Sequence, residues 1–274
     1  MIVQRIALAA IAAAMLVAVA PEAKGAGGVV IMFCGVSVST NAVLGQDLNC
    51  VGDGIVVNGM GITINLNGHT LAGDGGVSDN GVDNSGGFDK VTVKNGVVRN
   101  FQVGVYANDA DHFSVSNVVA SGNFFGFRLF GDSLSVASSN ASGNSGNGME
   151  LVGNTASARS TIAVGNDASG IFLGGEGDKV TGVTVSGNGS NGLFGTADSV
   201  SVKSSTASGN GFSGIVLEGD AIQLKSNKTE ANGFAIHDLS GMGISISAVS
   251  EPPKGKNVAR GNDDPDQCQP AYLC

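Results

Sequence analysis

Gly104, Gly126, Gly148, Gly170, Gly192 and Gly214 stand in strict register, one every 22 residues. Asn144, Asn166, Asn188, Asn210 and Asn232 keep the same interval on a second track. Most of these asparagines close a short turn, as in Ser142-Gly143-Asn144 and Ser208-Gly209-Asn210. A period of this length belongs to a chain assembled from one small unit many times over. Such units cannot bury a core alone and must stack.

Within each unit the first and third residues after the glycine are apolar: Val105 and Ala107, Phe127 and Leu129, Met149 and Leu151, Ile171 and Leu173, Ile215 and Leu217. The residue between them varies, which is the alternation of a strand with one buried face. A second alternating run follows, as in Leu134 and Val136 or Val200 and Val202, and a shorter third run precedes the asparagine. No window shows helical spacing with caps. The pattern predicts an all-β fold, a single-stranded right-handed parallel β-helix of eight to nine coils between residues 51 and 250. The hand follows the general preference of parallel connections, and equivalent residues of successive coils should lie about 4.8 Å apart. An antiparallel sandwich would also supply short strands and regular turns, but nothing in it demands a constant register. The asparagine track is expected to form an internal ladder, its amides bonding up and down the stack. Ser116, Ser138, Ser160, Ser204 and Ser226, interrupted by Gly182, suggest a second internal ladder.

The composition agrees with a glycine-punctuated β protein. Glycine supplies 44 of the 274 residues and charged residues only 14%, too few for a coiled coil or helical repeat. An apolar share of 42% excludes a disordered chain. A net charge of −9 excludes nucleic acid as a partner, because phosphate binding needs a basic face.

The ends depart from the repeat. Arg5 is the only charge before Glu22, and the stretch from Ile6 to Ala20 is apolar, the pattern of a secretory signal peptide. Residues 1–26 are assigned to it, with cleavage between 20 and 26. A retained anchor is the alternative, although the block is at the short end for a span. No later segment is long and apolar enough to cross a bilayer, so no span is expected after signal removal. Residues 27–50 are read as an N-terminal cap, and proline-rich residues 251–274 as a C-terminal cap or tail. Cys34, Cys50, Cys268 and Cys274 form an even set in an oxidising compartment, which points to two disulfides. Of the three pairings the local ones, Cys34–Cys50 and Cys268–Cys274, are favoured, because the pairs sit at opposite ends of the chain. No histidine lies at zinc-ligand spacing.

These residues resemble a known family. The repeat looks like the right-handed parallel β-helix repeat of the pectate-lyase-like superfamily. The opening run from Cys34 to Gly73, with Asp47-Leu48-Asn49-Cys50 and Leu66-Asn67-Gly68-His69-Thr70, resembles the start of bacterial secreted β-helix repeat proteins. The ending from Gly261 to Cys268 is similar to their C-terminal signature. The resemblance implies fold and export. Related β-helix enzymes cleave, epimerise or hydrolyse acidic polysaccharides, but fold alone does not carry an activity over.

The variable residue between the paired apolar ones forms an outward column: Tyr106, Arg128, Glu150, Phe172, Phe194 and Val216, with His237 as its continuation. Aromatic rings in a row can stack on sugar rings, and an arginine can take a carboxylate bidentately. The plain alternative is a surface ladder with a weak Arg128–Glu150 ion pair. A second column carries Asp132, Glu176, Asp198 and Asp220, with Asn154 in register and Asp111 close by. Calcium could bridge such carboxylates, and the resemblance implies a use for it, since the superfamily's lyases often employ calcium to neutralise a uronate carboxylate, but tight turns favour the same residue types. A basic column, Arg159, Lys203 and Lys225 with Lys179 nearby, could supply the base a lyase of this fold needs. A solvated face is the simpler reading. His69, His112 and His237 are scattered, and no Ser-His-Asp or Cys-His arrangement is supported.

The expectation is therefore an exported, secreted or periplasmic protein that presents a face to polysaccharide or another cell-surface component without catalysis. It needs no cofactor, with calcium the one candidate ion. A lyase or epimerase acting on uronate polymers is the first alternative, and a structural spacer or adhesin the second.

Overall fold

The computed structural model describes residues 28–233, 244–247, 257–262 and 268–269. Among them every strand pairing is parallel and none of the residues is helical. The chain is a right-handed parallel β-helix with about 22 residues per coil. One coil shows the unit. Met149–Val152 lies on a first face, Ser157–Arg159 on a second and Ile162–Val164 on a third, before Ile171–Gly174 returns to the first. The first face collects 11 of the described strands into one sheet, from Val36–Val38 to Cys268–Gln269. The other two faces join into one sheet, because Thr92–Arg99 and Ser114–Ser121 run unbroken across the corner between them.

Stacking begins before residue 51. Val29–Ile31 pairs with Ala42–Leu44, and Val36–Val38 with Ile55–Val57. Strands within residues 27–50 thus pair in parallel with one another and with the coil that follows. No 22-residue interval marks this segment, since Val36 reaches its partner Ile55 after a shorter circuit. Val258–Arg260 and Cys268–Gln269 likewise add rungs within residues 251–274. Cys34 and Cys50 are joined by a disulfide, with Cα atoms 5.5 Å apart. Cys268 is also disulfide-bonded, while Cys274, its expected partner, lies outside the described residues, as do the signal segment and His237.

The alternating apolar residues fill the interior. Val105, Phe127, Met149, Ile171, Leu193 and Ile215 stack on the inner side of the first face, all buried. The glycine that precedes each of them is there because of close approach. A Cβ on Gly148 or Gly170 would sit 2.7 Å from the carbonyl oxygen of the corresponding glycine one coil on. Beside these glycines runs the asparagine column, buried from Asn123 through Asn144, Asn166, Asn188, Asn210 and Asn232 to Asn262. Asn188 shows the pattern. Its Oδ1 accepts from the backbone N–H (3.1 Å) and Nδ2 (2.9 Å) of Asn166. Its Nδ2 donates to Asn210 Oδ1 (2.9 Å) and to the Ala163 carbonyl (3.1 Å).

The serine column is displaced by one residue from its expected place. Ser138, Ser160, Ser204 and Ser226 are exposed corner residues with φ near +50°, left-handed positions that turn the chain from the second face to the third. The inward ladder falls one residue later, at Ser139, Thr161, Ser205 and Asn227, all buried. Ser139 Oγ accepts from Val118 N–H and Asn227 Oδ1 from Ser205 N–H. A corner residue and its successor share one period, so the interval alone cannot say which of them points inward.

Candidate functional site

On the first face the residues between the buried pairs form one continuous outward row. In register order it runs Val56, Asp83, Tyr106, Arg128, Glu150, Phe172, Phe194 and Val216. Parallel register stacks these side chains one strand spacing apart, about 4.8 Å per rung. The strand partner of Val216 is Ser245 and not His237, because the coil between them is longer than 22 residues.

Arg128 is the centre of the row. Its Nε donates to Glu150 Oε2 at 3.1 Å. Its guanidinium carbon lies 4.6 Å from the ring centre of Phe125 and 5.2 Å from that of Phe130. Two aromatic contacts and one ion pair hold the head group, yet its side chain stays 36% exposed. Among the described residues only Nε has a hydrogen-bond partner, so both terminal nitrogens are free to take a planar anion. Glu150 is more buried than its partner, at 15% side-chain exposure. Beyond it Phe172 and Phe194 lie 5.7 Å apart, tilted, and half-buried.

Asp83, on the other side of Tyr106, was not singled out by sequence. It is 8% exposed. Its Oδ1 accepts from Asn80 Nδ2 (3.1 Å), and its Oδ2 from Ser85 Oγ (3.0 Å). Tyr106 pairs with Asp83 across a coil one residue longer than the repeat, so a strict 22-residue comb passes over it. The signal was Gly81, which stands before Val82 as Gly104 stands before Val105.

The other columns lie elsewhere. Asp111, Asp132, Asn154, Glu176, Asp198 and Asp220 stand at the corner between the first and second faces, exposed. Most of them are engaged by backbone. Asp132 N–H donates to Asp111 Oδ1 (2.8 Å), Asn154 N–H to Asp132 Oδ1 (2.8 Å) and Asp220 N–H to Asp198 Oδ1 (2.7 Å). This corner ladder is turn chemistry carried from coil to coil. Arg159, Lys203 and Lys225 share an exposed row on the second face, with Thr181 between the first two, and Lys179 stands two residues to the side. The fold does not bring them to Arg128. His69 Nδ1 meets Asp47 Oδ1 at 3.1 Å. The Thr70 N–H and then His69 hold the Asp47 carboxyl below its ordinary range. His112 is an exposed corner residue with φ +57°. No helix among the described residues is long and apolar enough to cross a membrane.

Two solved structures share this architecture. The A-module of the mannuronan C-5 epimerase AlgE4 of Azotobacter vinelandii is 14% identical, with a TM-score of 0.59, covering 84% of this chain and 82% of that one. The A-module of AlgE6 from the same organism is 16% identical, with a TM-score of 0.61, covering 80% and 71%. At this identity the likeness establishes the fold. No curated protein matches the sequence. Residues 47–246 match the family described as periplasmic copper-binding protein (NosD). The described residues do not fit a copper centre. Cys34, Cys50 and Cys268 are committed to disulfides, His69 is paired with Asp47, and no group of three His, Cys, Asp or Glu side chains is placed to hold a metal. The match nevertheless spans most of the sequence, and the strand register repeats coil by coil along that span, so this chain belongs to the NosD family of periplasmic proteins.

Proposed function

We propose that this protein binds an anionic polysaccharide in the periplasm along its first face, without catalysis. The observation that carries the reading is Arg128. Its guanidinium is clamped by Phe125, Phe130 and Glu150, while its terminal nitrogens stay free. A carboxylate or sulfate ester of a sugar matches that fork. Phe172 and Phe194 extend an aromatic strip down the row, on which sugar rings stack. Short corners between most strands leave the face open. Only four residues separate Met149–Val152 from Ser157–Arg159, which favours an extended ligand over an enclosed reaction site.

A uronate lyase or epimerase is the second reading. Tyr106, Arg128 and Glu150 stand on successive rungs, and the two structural neighbours are named as mannuronan epimerases. Calorimetric titration with pectate, alginate and glycosaminoglycan oligomers separates the readings when run beside ultraviolet absorbance for a new carbon–carbon double bond and proton NMR for C5 inversion. Binding that Arg128→Ala weakens by about tenfold or more, the scale of one charge-assisted contact, with unchanged absorbance and NMR spectra, is the expected result. A rise in absorbance or an inverted C5 signal that Arg128→Ala abolishes would make the protein an enzyme. No binding to any polymer would remove the reading.

A further inference from the structure

Around the corner from Arg128 the outer surface holds a cleft of about 480 Å³, on the turn between the third and first faces. The connection through residues 73–79 supplies Asp74 and Val77. The next three coils supply Asn100 and Gln102, then Phe124, then Ser145. The connection is pinned to the coil beneath it. Gly73 N–H and Gly75 N–H donate to the Arg99 and Asn100 carbonyls, Gln102 N–H donates to the Asp79 carbonyl, and Asp74 Oδ1 accepts from Gly76 N–H. The wall is thus formed before any ligand arrives. Phe124 is 49% exposed and Val77 86%, an apolar floor open to water. The side-chain amides of Asn100 and Gln102 have no hydrogen-bond partner among the described residues.

The cleft is linked to the Arg128 site by two neighbouring rings. The Phe124 ring meets Phe125 edge-on at 4.8 Å between centres, and the Arg128 guanidinium carbon lies 4.6 Å from the Phe125 ring centre. One ring therefore separates the two, a spacing neighbouring sugars of a single chain can bridge. Their charges differ. Arg128 offers a cation, whereas among the described residues the only charged side chain lining the cleft is that of Asp74. An acidic sugar there would face like charge. A neutral ring would lie on Phe124 and give its hydroxyl or acetamido groups to amides that both donate and accept.

We infer that the cleft is a subsite for a neutral sugar, a hexose or N-acetylhexosamine, adjacent to the acidic sugar held by Arg128. The ligand is then a polymer that alternates acidic and neutral residues, not a homopolyuronate. This rests on the polysaccharide reading above and narrows it.

The test is calorimetry on the mature protein with two probes of equal length: hyaluronan oligosaccharides, which alternate glucuronate with N-acetylglucosamine, and oligomannuronate. The alternating oligomer should bind about tenfold tighter, the worth of one stacked ring with its hydrogen bonds. Phe124→Ala and Gln102→Ala should each erase most of that preference and leave oligomannuronate binding unchanged, with thermal midpoints near that of the parent. Arg128→Ala should weaken both probes. Equal affinity for the two probes overturns the subsite, as does indifference to Phe124→Ala and Gln102→Ala while Arg128→Ala still acts. Either result would leave the polysaccharide reading standing. Absence of binding to both probes overturns the subsite, and the polysaccharide reading falls with it when pectate and the other glycosaminoglycans also fail to bind.

Discussion

Asp178 occupies an inward position that neighbouring coils fill with Ala156 and Val200, and it is fully buried. Its Oδ1 accepts from Ala156 N–H at 2.8 Å, but its Oδ2 has no partner. Burial pushes its carboxyl up to about 6, against a lesser pull from that N–H. The unfolded chain would release the same proton near 3.8. The folded state therefore holds the proton more tightly, and its contribution to stability is whole below pH 3.8 and fades as pH rises through 6. Asp178→Asn keeps the acceptor and removes the charge. It should be more stable than the parent at pH 7.5, by on the order of 1–3 kcal/mol. The difference should close by pH 4, which denaturant melts at the two pH values would read directly. Leu134 and Val200, named in the second alternating run, share the register of Asp178, but register reports where a residue lies and not what it lacks. Asp83 escaped for the opposite reason: its environment is informative, but its coil is one residue too long for the comb.

At the level of strands and corners, the asparagine ladder couples coils that sheet hydrogen bonds already join. Each amide ties its own corner to two others, and each member of the column is buried. Asn188→Leu would leave the Asn166 backbone N–H and one Asn166 amide proton without their acceptor, and take one donor each from Asn210 Oδ1 and the Ala163 carbonyl. It should cost on the order of 1–3 kcal/mol in an urea melt, and a neutral result would mean the corner repacks around leucine. The strands and this corner were legible in sequence because each rests on a strict physical demand. Alternation follows from one buried face, and the glycine column from a carbonyl 2.7 Å from where a Cβ would be. The serine column misled because the same demand, a left-handed corner residue, can be met by several residue types, as Asn117, Ser138 and Gly182 show. The outward row on the first face was readable as a row. What register could not supply was the pair of rings around Arg128, since Phe125 and Phe130 lie off the column.

Across the whole molecule, stability should be graded from ends to middle, because an interior coil is supported on two sides and an end coil on one. The Cys34–Cys50 disulfide closes a loop with 16 residues of separation at one end, a constraint worth about 3 kcal/mol in the chain-entropy account. Reduction should release amide protection in the coils before residue 66 while those around Met149 to Leu193 stay protected. Hydrogen exchange with mass spectrometry would show it, and central coils opening first would refute it. The fold as a whole was open to prediction because one rule, applied some nine times, builds it. The ends were less so, since their coils keep the geometry while abandoning the interval. The constant register has one more consequence. Because Arg128, Glu150 and Phe172 occupy the same place in consecutive coils, length here is a quantised variable. Excising residues 149–170 would join Gly148 to Ile171 in phase and shorten the surface by one graduation of about 4.8 Å. Arg128 would then stand beside Phe172 with no point substitution anywhere. A lineage can thus lengthen, shorten or re-letter its contact surface by whole coils, much as a ruler is cut only at its marks.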